Sequence, residues 1–409
     1  MTVAVVGAGG AGLVAALFGA RAGAPVVLLE GTSDGGRKIL ISGGGRCNIL
    51  PSAAAPERYV TASSPNSLRK ILLSWPLAEQ RAFFEAELGM PLALEEETGK
   101  LFPSSQRARD VRDALFERVR EAGARVWLGA RVTGLAPEPG GDWSVHIHGA
   151  PPLRAARVIL ATGGLSVPST GSDGTGLACA RRLGHEIHAT YPALTPLTAD
   201  PHPHAELVGV SLTVTLRAPG ATPPFETTGG LLVTHRGWSG PAVLDASHLA
   251  IRGRPGAGRQ EILVQWTPRA SDAWEADLAS GGQATVRGTL GPWLPRRLAD
   301  HLCRDAGVDP ETRLAQLRRP DRHALVVTLT AYPLPWTGDE GYRKAEVTGG
   351  GVALSEVEPR TLGSRRAPGL HFCGEILDAF GPIGGHNFLW AWATGRAAGL
   401  GAAAAVGSP

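Results

Sequence analysis

At 409 residues the chain is long enough for two or three domains around sizeable cores. Its 43% hydrophobic and 19% charged residues suit a soluble globular protein, and 55 Gly with 32 Pro fall among apolar runs without a fixed period, which excludes collagen-like and disordered chains. A net charge of +3 from interspersed basic and acidic residues offers no long basic stripe, so no nucleic-acid partner is expected.

The chain opens into an apolar strand, Thr2 to Val6, with no charged leader, so the reading expects a cytoplasmic protein without signal peptide or membrane contact. A Gly turn, a helix from Leu13 to Ala22 and a second strand from Pro25 to Glu30 follow, the βαβ start of a doubly wound sheet. A Gly-rich loop covers 35–48. Two helices are expected within 66–89, broken at Pro76, and another over 108–122. Strands are expected from Arg125 to Thr133, over 143–148 and over 156–161. From about 191 the texture becomes short alternating runs split by Gly and Pro, such as 208–216, 230–233 and 261–266, which read as an antiparallel sheet. Residues 270–330 are more helical, including 295–306 and 310–317. The apolar stretch from Phe388 to Val406 carries Arg396 and several glycines and reads as a buried helix.

The fold class is therefore α/β: a doubly wound, Rossmann-like dinucleotide-binding domain that is discontinuous, with an inserted β-rich substrate domain and a small helical subdomain. The expected spans are 1–190 with 345–409, 191–270 with 325–344, and 271–324.

Gly7-Ala8-Gly9-Gly10-Ala11-Gly12 is a G-x-G-x-x-G between strand and helix. Gly7 permits the turn, Gly9 lets a pyrophosphate approach, and Gly12 allows close helix–strand packing. Glu30 closes the second strand, where a carboxylate can accept ribose hydroxyls and disfavours a 2′-phosphate. The pattern suits FAD or NAD better than NADP.

Four cysteines, Cys47, Cys179, Cys303 and Cys373, lie far apart with no C-x-x-C, so neither a thioredoxin-type pair nor a zinc site is expected. Cys47 beside Arg46 is a candidate low-pKa thiol.

The segment Gly36-Arg37-Lys38-Ile39-Leu40-Ile41-Ser42-Gly43-Gly44-Gly45-Arg46-Cys47-Asn48 resembles the signature loop of the BaiN/YhiN-type flavoproteins, a family of bile-acid 4-ene reductases and aminoacetone oxidases. Other marks follow in order: 99–103, Ala161-Thr162-Gly163-Gly164, 192–197, 234–241, Ala345-Glu346-Val347-Thr348, Phe372-Cys373-Gly374-Glu375 and Gly384-Gly385-His386-Asn387-Phe388. The resemblance spans nearly the whole chain. It implies an FAD-dependent oxidoreductase acting on a small molecule, with NAD(P)H as transient donor or O2 as acceptor left open. The candidate cofactor-binding set is Gly7, Gly9, Gly12, Glu30, Arg37, Lys38, Ser42, Gly43, Gly44, Gly45, Arg46, Asn48, Val132, Thr162, Gly163, Gly164, Gly374, Glu375, Gly384, Gly385, His386, Asn387 and Phe388. By resemblance Glu375 faces the ribityl or pyrophosphate region. Arg46 and Asn48 are expected as donors toward a flat ring lying on the glycine backbone.

His386, where the family is expected to carry Tyr, is the candidate general acid or base, with Tyr191 and His235 as weaker ones. The departure from Tyr weakens any transfer of substrate identity. A flavin-dependent RNA-modifying enzyme and a non-catalytic flavin-binding module are the alternatives. Oligomeric state is not legible.

Overall fold

The computed structural model describes residues 1–252 and 260–407; residues 253–259, within the stretch read as β-rich, and 408–409, at the end of the expected cofactor domain, lie outside the described residues. The chain forms two compact units, residues 1–192 with 346–409, and residues 193–345.

The first unit is built on a five-stranded sheet. Its strands are β1 (Val3–Val6), β2 (Val26–Glu30), β3 (Arg125–Leu128), β5 (Arg157–Leu160) and β7 (Leu370–Phe372), in the spatial order β7-β5-β1-β2-β3 and all parallel. β1 and β2 are buried at every position, as continuous apolar runs covered on both faces must be. Helix α1 (Gly10–Arg21) crosses from β1 to β2, and α2 (Arg37–Ile41) follows β2. The chain moves outward from β1 to β2 and β3, then returns on the other side as β5 and β7. The order therefore reverses between β1 and β5, which opens the ligand crevice of such sheets at the C-terminal strand ends. β4 (Val132–Pro137) belongs to a separate three-stranded antiparallel sheet, and β6 (Val347–Val352) brings the chain back into this unit.

The last helix, α3 (His386–Gly407), packs along α1. Gly10 faces Phe388 and Trp392, Gly395 lies over Ala11, and Gly399 lies over Ala15 and Gly19. Positions rise together on both helices, so they run parallel with their N-termini at the same end. The approach is backbone to backbone: a Cβ on Gly395 would stand 2.4 Å from Ala11 O, and one on Gly399 2.4 Å from Ala15 O. Two buried indoles fasten α3 to the remainder, Trp390 donating to Gly374 O at 3.2 Å and Trp392 to Ile49 O at 3.1 Å. No helix among the described residues is long and apolar enough to cross a membrane.

The second unit holds a seven-stranded antiparallel sheet whose longest pair is Ser211–Ala218 with Phe225–Val233. The helices Ser271–Ala279, Arg296–Asp305 and Arg319–Thr330 share one hydrophobic core with these strands, around Trp238, Trp266 and Trp274. Within it, Trp238 Nε1 donates to His204 Nδ1 at 3.0 Å. An indole N–H cannot accept, so the imidazole proton sits on Nε2, which faces Tyr332 Oη at 2.9 Å; Tyr332 donates on to Asp305 at 2.9 Å. His204, His301 and Asp305 bring ligand atoms within 4.8 Å of one another. That tautomer nevertheless turns a proton, not a lone pair, toward any cation there.

Four local expectations need correction. The strand read from Arg125 to Thr133 is two strands in different sheets, because Gly129 at φ +72° turns the chain between β3 and β4. The loop at 35–48 contains α2 and a tight turn at Ser42–Gly45. Residues 310–317 supply only a short 3-10 turn, Leu314–Gln316, and the α-helix comes after it. The β-rich stretch, in which no helix is expected, also contains the helix Pro241–Ile251, whose proline takes the first-turn position that suits it.

Candidate functional site

Most of the singled-out residues meet at the C-terminal edge of the parallel sheet. Gly7 follows β1 at φ +102°, and a Cβ there would stand 2.5 Å from Ala161 O, the end of β5. A Cβ on Gly12 would stand 1.8 Å from Gly7 O, so this glycine lets α1 meet the turn. Gly9 differs: its φ of −74° and ψ of −177° suit any residue, and a Cβ added there would meet nothing within 4 Å. The face above Gly9 is open, and the first-turn N–H groups of α1 point out of it with no acidic side chain in that turn. That is the arrangement an anion such as pyrophosphate requires.

Glu30 lies beneath this turn, 8% exposed. Its carboxylate accepts from Ala8 N at 2.7 Å and from Thr32 N and Oγ1 at 2.8 and 2.7 Å. Oε2, which accepts from Ala8 N alone, retains a lone pair for a hydroxyl donor. Val132 opens β4, and its neighbour Arg131 stands against Gly31, so the residue lies beside the end of β2. Thr162 packs against Gly176, Gly163 against Ser172, and Gly164 against Thr348 and Glu375. Gly374, at φ +79°, faces Ala11 of α1.

Glu375 joins Lys38 across 337 residues of chain. Lys38 Nζ lies 2.5 Å from Glu375 Oε2 and donates to Ser166 Oγ at 2.6 Å. Glu375 Oε1 accepts from Ser166 Oγ at 2.5 Å and from Thr348 N and Oγ1 at 3.0 and 2.9 Å. Arg37 is taken up by Asp34 at 2.7 Å and the carbonyl of Ser169.

In the Ser42–Gly45 turn, Ser42 Oγ donates to Ile39 O at 2.8 Å, and Gly43, Gly44 and Gly45 all have positive φ. Gly44 and Gly45 leave backbone uncovered, with no atom nearer than 3.9 Å to an added Cβ. Arg46 turns away: its guanidinium lies 4.1 Å over the Phe102 ring and bonds Glu95 at 3.1 Å. Asn48 is buried, and its amide in the favoured orientation donates to Leu50 O at 3.2 Å and accepts from Gly385 N at 3.0 Å. Asn48 is thus a strut between the two glycine segments.

The expectation for Cys47 is overturned. Arg46 points elsewhere, the thiol is fully buried, and desolvation pushes its pKa up to about 12. It stays a neutral thiol, the opposite of a reactive one.

At the start of α3, Gly385 has φ +90° and packs on Leu50, while Asn387 commits its amide to the Gly381 N–H and C=O at 2.9 and 3.0 Å. Phe388 stacks on Trp392 with ring centroids 5.1 Å apart. The first-turn N–H groups of α3 have no intrahelical partner, and no acid occupies that turn. His386 is 2% exposed, and burial followed by the Arg58 charge lowers its pKa to about 3. Arg58 Nη1 approaches His386 Nε2 at 3.4 Å, and since Arg can only donate, the proton belongs on Nδ1, a buried atom without a partner. Tyr59 donates its hydroxyl to His386 O at 2.9 Å.

Sequence reasoning missed Arg58 and Tyr59, which lie in a loop without a motif. They are placed by the paired backbone bonds of Val60 with Phe380 and by Asp378, whose carboxylate holds Thr61, Ala62 and Ser63. Tyr191 meets Phe380 edge-on in the same unit; His235 is exposed in the other.

Four buried histidines give the fold a predictable acid sensitivity. His204 and His386 are lowered to about 3, His248 and His371 to about 4, all chiefly by desolvation, from an ordinary 6.5. Below pH 6.5 the unfolded chain takes up protons that the folded rings refuse. Stability is therefore present above that pH and is lost as pH falls toward 4, at about 1.4 kcal/mol per pH unit for each ring. Thermal denaturation between pH 7 and 4.5 should show a steep fall in Tm, and His371→Phe should shallow it. An acid slope unchanged in that variant would contradict the assignment.

The fit to a flavin dinucleotide is direct: two helix N-termini without acids, an uncovered glycine backbone and a carboxylate under the first turn. This geometry defines the class, a Rossmann-type FAD-dependent oxidoreductase. The chain belongs to the HI0933-like family, whose Rossmann-domain model matches residues 1–401. It is 33% identical over 95% of both chains to a protein of Escherichia coli named ribosomal RNA dihydrouridine synthase. It is 32% identical over 98% of both chains to 3-dehydro-bile acid delta(4,6)-reductase of Clostridium scindens. Among solved structures, a flavocytochrome c3 fumarate reductase aligns over 100% of this chain and 79% of its own at TM-score 0.51 and 19% identity, a likeness of fold.

Proposed function

We propose that this protein reduces a carbon–carbon double bond conjugated to a carbonyl, using FAD reduced by a nicotinamide donor. The observation that carries this is chemical. The names of the two relatives describe reductions of that one kind: a 3-keto steroid acid with double bonds at 4 and 6, and a uracil ring saturated at its carbonyl-conjugated bond. Bound FAD supplies a hydride at N5 and the means to regain it.

The chain's own residues divide the remaining work. The Gly7–Gly12 turn and the α1 N-terminus would hold the pyrophosphate, with Glu30 on the ribose hydroxyls and Val132 and Thr162–Gly164 along the adenosine half. The backbone of Gly44 and Gly45 would lie against the ring, and the α3 N-terminus would favour negative charge at its edge. His386 would remain neutral at working pH and act as an Nδ1 hydrogen-bond donor, with Arg58 fixing its tautomer. Proton transfer is better assigned elsewhere.

A small conjugated ketone is the first reading of the substrate, following the bile-acid relative. Uridine in ribosomal RNA is the second, favoured by the E. coli relative; the same hydride chemistry serves both. Anaerobic stopped-flow with NADH and NADPH, followed by 2-cyclohexen-1-one, 4-androstene-3,17-dione or unmodified ribosomal RNA, tests the proposal. Flavin bleaching by a nicotinamide and recovery with one of these acceptors is expected. Bleaching by dithionite alone, with recovery by no acceptor, would mean a non-catalytic flavin module; bleaching by an amine and recovery with O2 would mean an oxidase.

A further inference from the structure

Arg58 enters the account above only through His386, and that contact uses one of its five N–H groups. The side chain is exposed, yet its backbone is fixed on both sides. Arg58 N donates to Ala55 O at 3.1 Å, and Val60 exchanges backbone bonds with Phe380 at 2.8 and 3.1 Å. Between them, Tyr59 meets the His386 ring edge-on, with centroids 5.8 Å apart, and holds His386 O. The guanidinium therefore stands beside the first residue of α3. Among the described residues its Nε–Nη2 edge is uncommitted.

A second cation flanks the same short segment. A Cβ on Gly384 would lie 3.9 Å from Lys100 Cγ and Cε and 4.0 Å from His386 Cδ2. The space over Gly384 is thus open, walled by the lysine stem and by the ring edge whose neighbouring atom, Nε2, meets Arg58. Among the described residues neither cation has a carboxylate within ion-pair reach. Glu57 beside Arg58 pairs with Arg69 at 3.5 Å, and Glu95, opposite Lys100 on the adjoining strand, bonds Arg46 at 3.1 Å. The His386 ring is itself 2% exposed and its Nδ1 lacks a partner, a further unmet polar group at this segment. Asn48 ties Gly385 to the Ser42–Gly45 turn, so the two cations share a wall with the proposed ring platform.

We propose that Arg58, assisted by Lys100, binds a carboxylate carried by the substrate, an assignment that rests on the function proposed above and narrows its substrate to an acid. The free edge of the guanidinium is a planar fork that matches two coplanar carboxylate oxygens, while Lys100 adds a point charge without such directionality. The fixed backbone on either side of Arg58 lowers the cost of ordering the site when the acid arrives. With its anionic end held at the start of α3, the conjugated end of such a molecule is left to reach toward Gly44 and Gly45. Arg58 is then a specificity residue: it chooses the acid and takes no part in the chemistry at the double bond.

The test uses FAD-loaded full-length protein as wild type, Arg58→Gln, Arg58→Lys and Lys100→Gln. The probes are 3-oxocyclohex-1-ene-1-carboxylate and 3-oxo-4-androstene-17β-carboxylate, each beside its methyl ester. Dissociation constants come from the change in flavin absorbance, and KM and kcat from reoxidation of the dithionite-reduced protein. In wild type at least one acid should bind roughly 10- to 100-fold tighter than its ester. Arg58→Gln should bring that ratio close to one, the loss falling on KM more than on kcat. Arg58→Lys should restore part of it, and Lys100→Gln should lower it less. Equal affinity for acid and ester in wild type, or a ratio that survives Arg58→Gln, would overturn the assignment. So would an Arg58→Gln that moves only the flavin midpoint potential, which gives the cation to the cofactor, or reoxidation by ribosomal RNA alone. Should Arg58→Gln fail to fold, a ratio undiminished in both Arg58→Lys and Lys100→Gln overturns it equally. A wild type that binds the acid through Arg58 and reduces neither probe keeps the site and defeats the ene-reductase reading instead.

Discussion

Gly9→Val will purify as a folded protein that holds no flavin. The substitution meets no atom within 4 Å of the new Cβ and sits at a φ of −74°, so the fold has no reason to resist it. What it obstructs is the approach to the α1 N-terminus, where a pyrophosphate must come within hydrogen-bond reach of the backbone. Loss of close contact there should weaken FAD binding by roughly 100-fold or more, about 2.7 kcal/mol. Circular dichroism and Tm should match those of flavin-free wild type, while the flavin absorbance disappears. Gly12→Ala is the control of opposite kind: its methyl would stand 1.8 Å from Gly7 O, so it should damage folding itself.

Gly399→Leu should destabilise the first unit more than any single surface change, although residue 399 lies far from the cofactor residues. A side chain at this position meets Ala15 O at 2.4 Å and the Gly19 backbone at 3.0 Å. Neither can yield without moving α1 away from α3. Overpacked cores lose about 1–3 kcal/mol, and a contact between main chains leaves less room to relax than one between side chains. We expect a loss of at least about 3 kcal/mol in denaturant unfolding, with FAD released as the two N-termini part. Gly399→Ala, with one methyl, should fall between. A Leu variant of wild-type stability would show that the two helices are not held by this seam.

Much of this arrangement is legible from the chain alone. The turn at Gly7–Gly12, the acid at Glu30 and the buried helix after Phe388 carry local signals: strand, glycine spacing and an unbroken apolar run. What escapes is what only tertiary contact decides. Lys38 and Glu375 are each visible in a motif, but nothing local says that they pair. Arg58 and Tyr59 sit in an irregular loop and acquire meaning from Phe380 and Asp378. Arg46 and Cys47 mislead for the same reason, since adjacency in sequence says nothing of Phe102, toward which the guanidinium turns. Asn48 reads as a donor toward a ring, and its amide instead joins Leu50 to Gly385. The helix Pro241–Ile251 is hidden by the alternating strands that flank it.

The relation between α1 and α3 carries the central claim, because it sets the positive ends of the first and last helices side by side. Hydrogen–deuterium exchange of flavin-free protein, with and without FAD, tests it most directly. The account predicts that FAD slows exchange at the amides of residues 9–13 and 386–389 together, and at neither segment in Gly9→Val. Protection confined to one end of the chain, or to neither, would contradict it.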